Sequence, residues 1–404
     1  MKLTRTLSAL AGLMLLVAPQ LGAQVVVLRG ATIHAAADEP AIPDGVVIVQ
    51  DGRIAAVGRS GEVPIPDGGR VIDLDGMVLL PGFWNSHVHF GNDRFGGADT
   101  LDAAVLANNI EEMLTRWGFT TVFDIGSSLR NTLALRQRIE SGEIPGPRIF
   151  TTGDILHAPG TPNQTYTVAD PSEALAATRA LIDGGASAIK LYAQAWWDLD
   201  IMLSPEVIRA VVADAHSRGV RVFAHPSNRV GLHNAVEAGV DALVHTTPQI
   251  GPWDDALIDR MKAADIALIP TLALWRFELQ RDGAPPHAVE AFVKRGVDQL
   301  RQYAEAGGAV IFGTDVGYMT DFATTYEYEQ MARAGMDFRA ILASLTTVPA
   351  ERTGAAATSG RIEPGYDADL VVVGADPAGS VGALADVRCV FRSGRLLYGS
   401  CTGS

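Results

Sequence analysis

Eight short apolar runs alternate with longer stretches of helical pattern, and this alternation constrains the fold more than any other feature of the chain. The runs cover residues 79–87, 120–125, 148–152, 188–192, 220–225, 242–245, 267–271 and 309–314. Parallel strands need long crossover connections, which helices supply, so the alternation favours a parallel sheet. Eight such units predict a closed (β/α)8 barrel, a TIM barrel of the α/β class. A doubly wound open sheet is the alternative.

The segments on either side of these units have a different pattern of short β-branched runs divided by turn residues. The runs lie at 25–28, 46–49, 54–57 and 71–74 before the barrel, and at 369–373, 388–391 and 396–398 after it. Neither end alone has enough strands to bury a face, so we expect both ends to form one small β-sandwich. The predicted domains are residues 24–80 with 353–404 for the sandwich, and 81–352 for the barrel.

The first 23 residues have the layout of a Sec-type signal peptide. Lys2 and Arg5 precede an apolar run over 7–18, and the small residues Gly22 and Ala23 follow. The run is shorter than the roughly 20 residues that a membrane-spanning helix needs. We therefore expect cleavage after Ala23, a periplasmic or secreted protein, and no stable membrane association after cleavage. A retained anchor is the alternative.

Composition narrows the partners. The formal net charge is −14, from 32 Lys and Arg against 46 Asp and Glu, so nucleic acid would be repelled and a small-molecule substrate is expected. The two cysteines, Cys389 and Cys401, could form a disulfide in an oxidising compartment, or remain two thiols. The sequence leaves homo-oligomerisation open.

Polar side chains gather where the predicted strands end. The residues in question are His87, His89, Asp124, Thr151, Lys190, His225, His245, Thr271 and Asp315. In a (β/α)8 barrel the carboxyl ends of the strands form the catalytic face, so these side chains are expected at one mouth.

Four histidines in this set have the character of metal ligands. His87 and His89 project to the same side of an extended chain, because side chains alternate with a period of two. Two neutral imidazoles placed in this way are half of a zinc-type site, although a solvated or core pair is the alternative. His225 and His245 end successive strands, and Asp315 follows the eighth strand, which neighbours the first in a closed barrel.

At this point the sequence resembles a known family. It is similar to the amidohydrolase superfamily, in particular to its imidazolonepropionase-like and prolidase-like branch. The segments that carry the resemblance are Pro81-Gly82-Phe83 through His87-Val88-His89, Gly118-Phe119-Thr120-Thr121-Val122-Phe123-Asp124, Ala188-Ile189-Lys190, Phe223-Ala224-His225, Val244-His245, Phe312-Gly313-Thr314-Asp315 and Pro364-Gly365-Tyr366-Asp367-Ala368-Asp369-Leu370.

The resemblance implies a site with two divalent metal ions. His87 and His89 would bind the more buried ion, His225 and His245 the other, and Asp315 would contact the first ion and the attacking water. Lys190 would be carboxylated by CO2, because an ammonium has no lone pair for a metal whereas a carbamate bridges two. Zinc is expected, although the same ligands accommodate manganese, cobalt or iron. An unmodified Lys190 beside one metal is the alternative.

The implied reaction is hydrolysis of a carbon–nitrogen bond by a metal-bridging hydroxide, with Asp315 as general base and then general acid. Dipeptides and N-acyl amino acids are the expected substrates. The second hypothesis is a mononuclear cyclic amidase, or an imidazolonepropionase-like or deaminase hydrolase. A third, from a different class, is a non-catalytic metal-binding exported protein, which would have no need of Asp315 beside complete histidine ligation.

Substrate contacts are expected from Tyr192, His157, Asn228 and Tyr318. Tyr192 shares the facing of Lys190 and could donate a hydrogen bond to the substrate or to an oxyanion. Trp196, Trp197 and Trp275 are candidates for an aromatic pocket. His225 is followed by Pro226-Ser227-Asn228, and His245 by Thr246-Thr247, where relatives commonly have smaller residues or glycine. These departures leave the substrate open.

Overall fold

The computed structural model describes residues 25–162, 164, 166–193 and 201–401. The predicted signal segment, Trp196 and Trp197 lie outside the described residues. The strands are β1 Val26–Ile33, β2 Ile42–Gln50, β3 Arg53–Arg59, β4 Arg70–Asp73, β5 Val78–Pro81, β6 Phe83–Val88, β7 Phe119–Asp124, β8 Arg148–Thr151, β9 Ala188–Tyr192, β10 Arg221–His225, β11 Ala242–Val244, β12 Ala267–Ile269, β13 Leu370–Val373, β14 Val387–Arg392 and β15 Arg395–Gly399.

The helices include the barrel crossovers and a group before the last strands. They are α1 Ala103–Met113, α2 Leu129–Glu140, α3 Pro171–Asp183, α4 Pro205–Ser217, α5 Arg229–Ala238, α6 Asp255–Ala263, α7 Leu272–Arg281, α8 Pro286–Glu305, α9 Thr325–Arg333, α10 Phe338–Leu345 and α11 Thr347–Thr353. In the described part of the chain, none of them combines the length and apolar character that a membrane crossing requires.

Local sequence explains where these helices start and which face they bury, as α4 illustrates. The Ser204 side chain accepts a hydrogen bond from the Val207 N–H, and Pro205 occupies the first turn, where it needs no amide donor. Val207, Val211 and Ala215 are buried. Their spacing of four residues forms one apolar stripe, which packs on the barrel strands.

The barrel strands form a ring with parallel neighbours. Strands β6, β7 and β8 pair in parallel, as do β9, β10, β11 and β12. Bridges close the seams: Leu156 pairs with Leu191, Leu268 with Val310, and Val88 with Val316. The predicted TIM barrel is confirmed.

The eighth predicted strand, over 309–314, differs from the prediction. It joins its neighbours through single bridges near its two ends, at Val310 and Val316, and forms no continuous ladder. Its backbone still forms hydrogen bonds with the strands on both sides. The Ile311 N–H donates to Leu268 O at 2.9 Å, and Phe312 O accepts from the Ser86 N–H at 2.9 Å. The segment therefore completes the ring although it does not form a regular β-strand.

The single strand predicted over 79–87 is two strands that belong to different sheets. β5 lies in the terminal sheet and β6 in the barrel, and the change occurs at Gly82, whose N–H donates to Asp369 O at 2.7 Å. A Cβ at Gly82 would lie 2.2 Å from Thr120 Oγ1, so only glycine fits this close approach. The prediction of one continuous strand was wrong because apolar runs do not reveal a change of partner.

Both chain ends contribute to one eight-stranded sheet. Its order is β15-β14-β13-β5-β1-β2-β3, with β4 paired to β1. β13 pairs antiparallel with β5, with Val371 opposite Leu80. A disulfide joins Cys389 in β14 to Cys401, which agrees with one of the two alternatives for these cysteines.

A group of apolar side chains, which we call the interior layer, forms one of the buried clusters. Its buried members are Phe123, Ile125, Ala188, Phe223, Ala242, Val244, Ala267, Ile269 and Ile311. Several of them precede a predicted site residue by two positions, as Phe223 precedes His225 and Ala188 precedes Lys190. Because strand side chains alternate, the layer lies on the same side of these strands as the site, one step below it.

Candidate active site

The six predicted metal ligands line one cavity of about 460 Å³ at the carboxyl ends of the barrel strands. His87, Lys190 and His225 lie within β6, β9 and β10, and the other three follow strands or the eighth segment directly. The lining residues are His87, His89, Gly91, Asn92, Gly126, Ile155, His157, Thr161, Gln164, Lys190, Tyr192, His225, Ser227, His245, Gln249, Leu274, Trp275, Glu278, Asp315, Gly317 and Tyr318.

Three side chains meet most closely at the base of this cavity. Nε2 of His87 lies 3.2 Å from Nε2 of His89. Oδ1 of Asp315 lies 3.2 Å from the first nitrogen and 3.0 Å from the second. His245 approaches the same carboxylate, with its Nε2 3.9 Å from Oδ2.

Second partners orient the imidazoles. Nδ1 of His89 lies 3.1 Å from Gly126 O, and Nδ1 of His245 lies 2.5 Å from Thr271 Oγ1. A carbonyl oxygen only accepts, so the Nδ1 of His89 donates and its Nε2 is the nitrogen directed at Asp315. Such outer partners are typical of histidines that ligate metals.

The donor set fits a divalent cation. Distances of 3.0 to 3.2 Å between nitrogen and oxygen atoms are close to the edges of about 3.3 Å expected around an ion with bonds of about 2.0 Å. Asp315 Oδ1 is buried and makes no hydrogen bond of good geometry to any described residue, although two imidazole nitrogens lie near it. The candidate ligand atoms of His87, His245 and Asp315 all lie within 4.8 Å of one another.

Burial sets the charge of the site. It lowers the pKa of His87 to about 4 and holds the pKa values of His225 and His245 well below the ordinary value, so these imidazoles are neutral at pH 7 with lone pairs available. Burial also lowers the pKa of Lys190 to about 7. The pKa of Asp315 stays well below its usual range despite burial, because His87 and His89 stabilise the carboxylate. Burial opposes protonation of His89, but the adjacent Asp315 carboxylate raises its pKa overall.

Three site residues adopt left-handed backbone conformations. The φ angles are 78° at His245, 44° at Thr271 and 67° at Asp315. For residues other than glycine such conformations cost on the order of 1 kcal/mol each. They are retained here where they direct a predicted ligand, or the partner of one, into the cavity.

Of the four predicted substrate contacts, the structure brings three into the cavity wall. The Tyr192 ring stacks on His225 with ring centres 4.0 Å apart, and it also stacks on His157 with ring centres 5.0 Å apart. Burial raises the pKa of Tyr192, so its hydroxyl keeps its proton. Tyr318 lies at the exposed mouth. Asn228 is not among the lining residues, because its Oδ1 accepts from the Gly231 N–H at 2.7 Å and caps α5.

Sequence reasoning did not identify Gln249, Glu278 and Ser227 as parts of the wall, and it gave Thr271 no role as the partner of His245. A signal for Glu278 was present. Trp275 and Glu278 are three residues apart on the helix that directly follows the seventh barrel strand, so they share one helix face near the mouth.

Comparisons with known proteins agree with this geometry. The model of the amidohydrolase family matches residues 78–397. The chain is 25% identical to the ochratoxinase of Aspergillus niger, over 94% of this chain and 88% of the relative. It is also 25% identical to the imidazolonepropionase of Salinispora tropica, over 82% and 86%. The solved structure of a putative prolidase from Bifidobacterium longum has a TM-score of 0.79 at 30% identity and covers 92% of this chain and 94% of its own.

Proposed function

We propose that this chain, which belongs to the amidohydrolase family and hydrolyses carbon–nitrogen bonds, cleaves the amide bond of a dipeptide or an N-acyl amino acid. The observation that carries the proposal is the convergence of His87, His89 and Asp315 within 3.2 Å at the base of a cavity. The likeness to a putative prolidase supports a peptide-like substrate.

The proposed cofactors are two divalent metal ions, with zinc expected. When bound, they would polarise the scissile carbonyl and lower the pKa of water towards about 7. His87 and His89 would hold one ion and His225 and His245 the other, with Asp315 as a further ligand.

Lys190, converted to a carbamate by CO2, is proposed as a further residue that would help to hold the two ions. Its burial and a pKa of about 7 leave much of the side chain as a neutral amine at neutral pH. The amine nitrogen attacks the carbon of CO2, an N–C bond forms as one C=O π bond opens and leaves its electron pair on oxygen, and a proton passes from nitrogen to solvent. The product presents two oxygens, whereas the ammonium form has no lone pair.

Asp315 is proposed to move the proton. As an ionised carboxylate at neutral pH, it can accept a proton from the attacking water and deliver it to the leaving nitrogen. The Tyr192 hydroxyl, which stays protonated and lines the cavity, is proposed to donate a hydrogen bond to the substrate. Leu274, Trp275 and Ile155 supply an apolar wall for the remainder of the substrate.

A second candidate is a mononuclear cyclic amidase or imidazolonepropionase-like hydrolase with Lys190 unmodified. The compact group of His87, His245 and Asp315 favours it, because these three residues alone could hold one ion. The likeness to an imidazolonepropionase also supports this candidate.

Metal content and a substrate screen separate the two. We expect about two ions per chain by mass spectrometry of the metal-loaded protein, and hydrolysis of dipeptides or N-acyl amino acids. About one ion per chain, with turnover of lactams only, would support the second candidate. Asp315→Asn is the control, and it should lower turnover of every accepted substrate about 10³-fold.

We also propose that the protein is exported and that residues 1–23 are removed. N-terminal sequencing of protein recovered outside the cytoplasm should begin at Gln24. A mature chain that begins at Met1 would exclude a cleaved signal. The Cys389–Cys401 disulfide supports an oxidising compartment.

A further inference from the structure

A carboxylate lies in the cavity wall away from the proposed metal ligands. Glu278 is on α7, one turn after Trp275, and both side chains line the cavity. The Glu278 side chain is only 15% exposed, so its charge is largely shielded from solvent. A carboxylate in such a position needs a polar or cationic partner.

The described part of the wall has few charged groups. Among the described lining residues, the formally charged side chains are Lys190, Asp315 and Glu278, besides the histidines. The first two belong to the proposed metal centre. Glu278 is therefore the charge that the described outer wall presents to the substrate, and the described lining contains no arginine to pair with a substrate carboxylate.

The neighbours of Glu278 do not neutralise this part of the mouth. The Tyr318 hydroxyl donates to Oε1, and the Arg281 guanidinium donates to Oε2 at 3.0 Å. Arg281 also contacts Asp282 Oδ1 at 3.2 Å and the Tyr318 hydroxyl at 2.9 Å. One guanidinium is thus shared between two carboxylates, so the three side chains of Glu278, Arg281 and Asp282 carry more formal negative than positive charge. Each carboxylate oxygen has two lone pairs, so Glu278 can accept further hydrogen bonds.

We propose that Glu278 binds a cationic group of the substrate, a protonated amine or a guanidinium, at the end that lies away from Asp315. This inference rests on the proposed peptidase function and narrows it to amide substrates with a basic residue. Charge complementarity in a shielded wall favours the cation and disfavours an anion at the same position.

Matched dipeptides that differ only in one charge test the proposal. Metal-loaded enzyme is assayed with Ala-Lys and Ala-norleucine, and with Lys-Ala and norleucine-Ala. We expect kcat/KM for the lysine member of at least one pair to exceed that of its neutral partner by about tenfold, since a hydrogen bond to a charged group has this magnitude. Glu278→Gln, which keeps the shape of the side chain, should reduce this ratio about tenfold.

Glu290→Gln is the matched control. Glu290 is on α8, is 58% exposed and also pairs with an arginine, Arg333, at 2.6 Å. The control should leave the ratio as in the wild type. Glu278→Lys supplies a second variant, and we expect it to shift the preference towards Ala-Glu or Glu-Ala.

The outcomes distinguish this inference from the function it rests on. If the wild-type enzyme hydrolyses neutral and lysine dipeptides equally well, or if Glu278→Gln leaves the ratio unchanged, the role of Glu278 is wrong while the peptidase function stands. If the metal-loaded wild type hydrolyses no dipeptide or N-acyl amino acid, both proposals fail.

Discussion

The mouth of the barrel and the interior layer beneath it differ in how completely their side chains are packed and hydrogen-bonded. In the mouth, the buried Nδ1 of His87 and both ring nitrogens of His157 have no hydrogen-bond partner among the described residues. In the interior layer, Phe123 packs against Phe150 and Phe223 at ring distances of 5.6 and 5.1 Å. The small gap bordered by Phe123 and Phe223 has a volume of only about 20 Å³.

A charged group beside the layer, in contrast, has its hydrogen bonds satisfied. Asp241 accepts from the Arg221 guanidinium at 3.2 Å and from the Val222 N–H at 2.7 Å. We infer from this difference that the layer stabilises the barrel by close packing. The mouth instead contains unpaired polar atoms and strained backbone, which are available to bind and orient ligands. Proteins commonly depart from favourable packing at functional sites and compensate for it elsewhere.

The largest expected effect is the loss of turnover caused by Asp315→Asn in the mouth. Turnover by the metal-loaded protein should fall about 10³-fold, because the amide cannot accept the proton from water. Steady-state kinetics on an accepted substrate measures this effect, with thermal unfolding to show that the variant folds. Full turnover by Asp315→Asn would remove the proposed role of this carboxylate.

Phe123→Ala in the interior layer should have the converse effect. Loss of a buried phenylalanine with close aromatic neighbours should lower the free energy of unfolding by about 4 kcal/mol. Chemical denaturation measures this change, and kcat of the folded fraction should fall far less than in Asp315→Asn. If kcat of the folded Phe123→Ala variant fell as much as that of Asp315→Asn, the interior layer would affect catalysis as well as stability.

The disulfide lies in the terminal sheet, outside both regions. Replacing Cys389 and Cys401 with alanine opens a link between positions 12 residues apart, and the expected loss of stability is about 3 kcal/mol from the freed unfolded chain. Denaturation with and without reductant should give this difference for the wild type and none for the variant. Equal stability of the oxidised and reduced wild type would contradict it.

The smallest expected effect depends on pH and concerns His157 in the mouth. Burial lowers its pKa to about 4 from the ordinary 6.5, so between these values the unfolded chain binds more protons and stability falls as pH falls. His157→Gln should remove up to about 3 kcal/mol of this loss between pH 6.5 and 4, and none of it above pH 7. Urea unfolding of both proteins at a series of pH values measures the difference. Parallel pH profiles would show that His157 is not buried as a neutral imidazole.

Much of this architecture could be predicted from residue patterns. The strand ends of the barrel place six ligand-type side chains, because each lies within a predicted strand or directly after one, and the direction and alternation of strands are local properties. Boundaries between sheets were less predictable, as Gly82 shows, because the change of hydrogen-bond partner there depends on Asp369, far away in the chain. The role of Asn228 was also not predictable, because an asparagine at this position can either cap a helix or contact a substrate, and the sequence does not distinguish the two roles.

The sequence by itself determined the amidohydrolase family, the barrel and the histidine, lysine and aspartate positions at its mouth. Hydrophobic periodicity and short motifs are local, and they survive without knowledge of the tertiary contacts. The tertiary structure alone decided which residues form the outer wall, that Cys389 meets Cys401, and that Glu278 faces the cavity while Asn228 caps a helix. These outcomes depend on how loops and helices pack after the barrel closes, and sequence spacing carries little information about that packing.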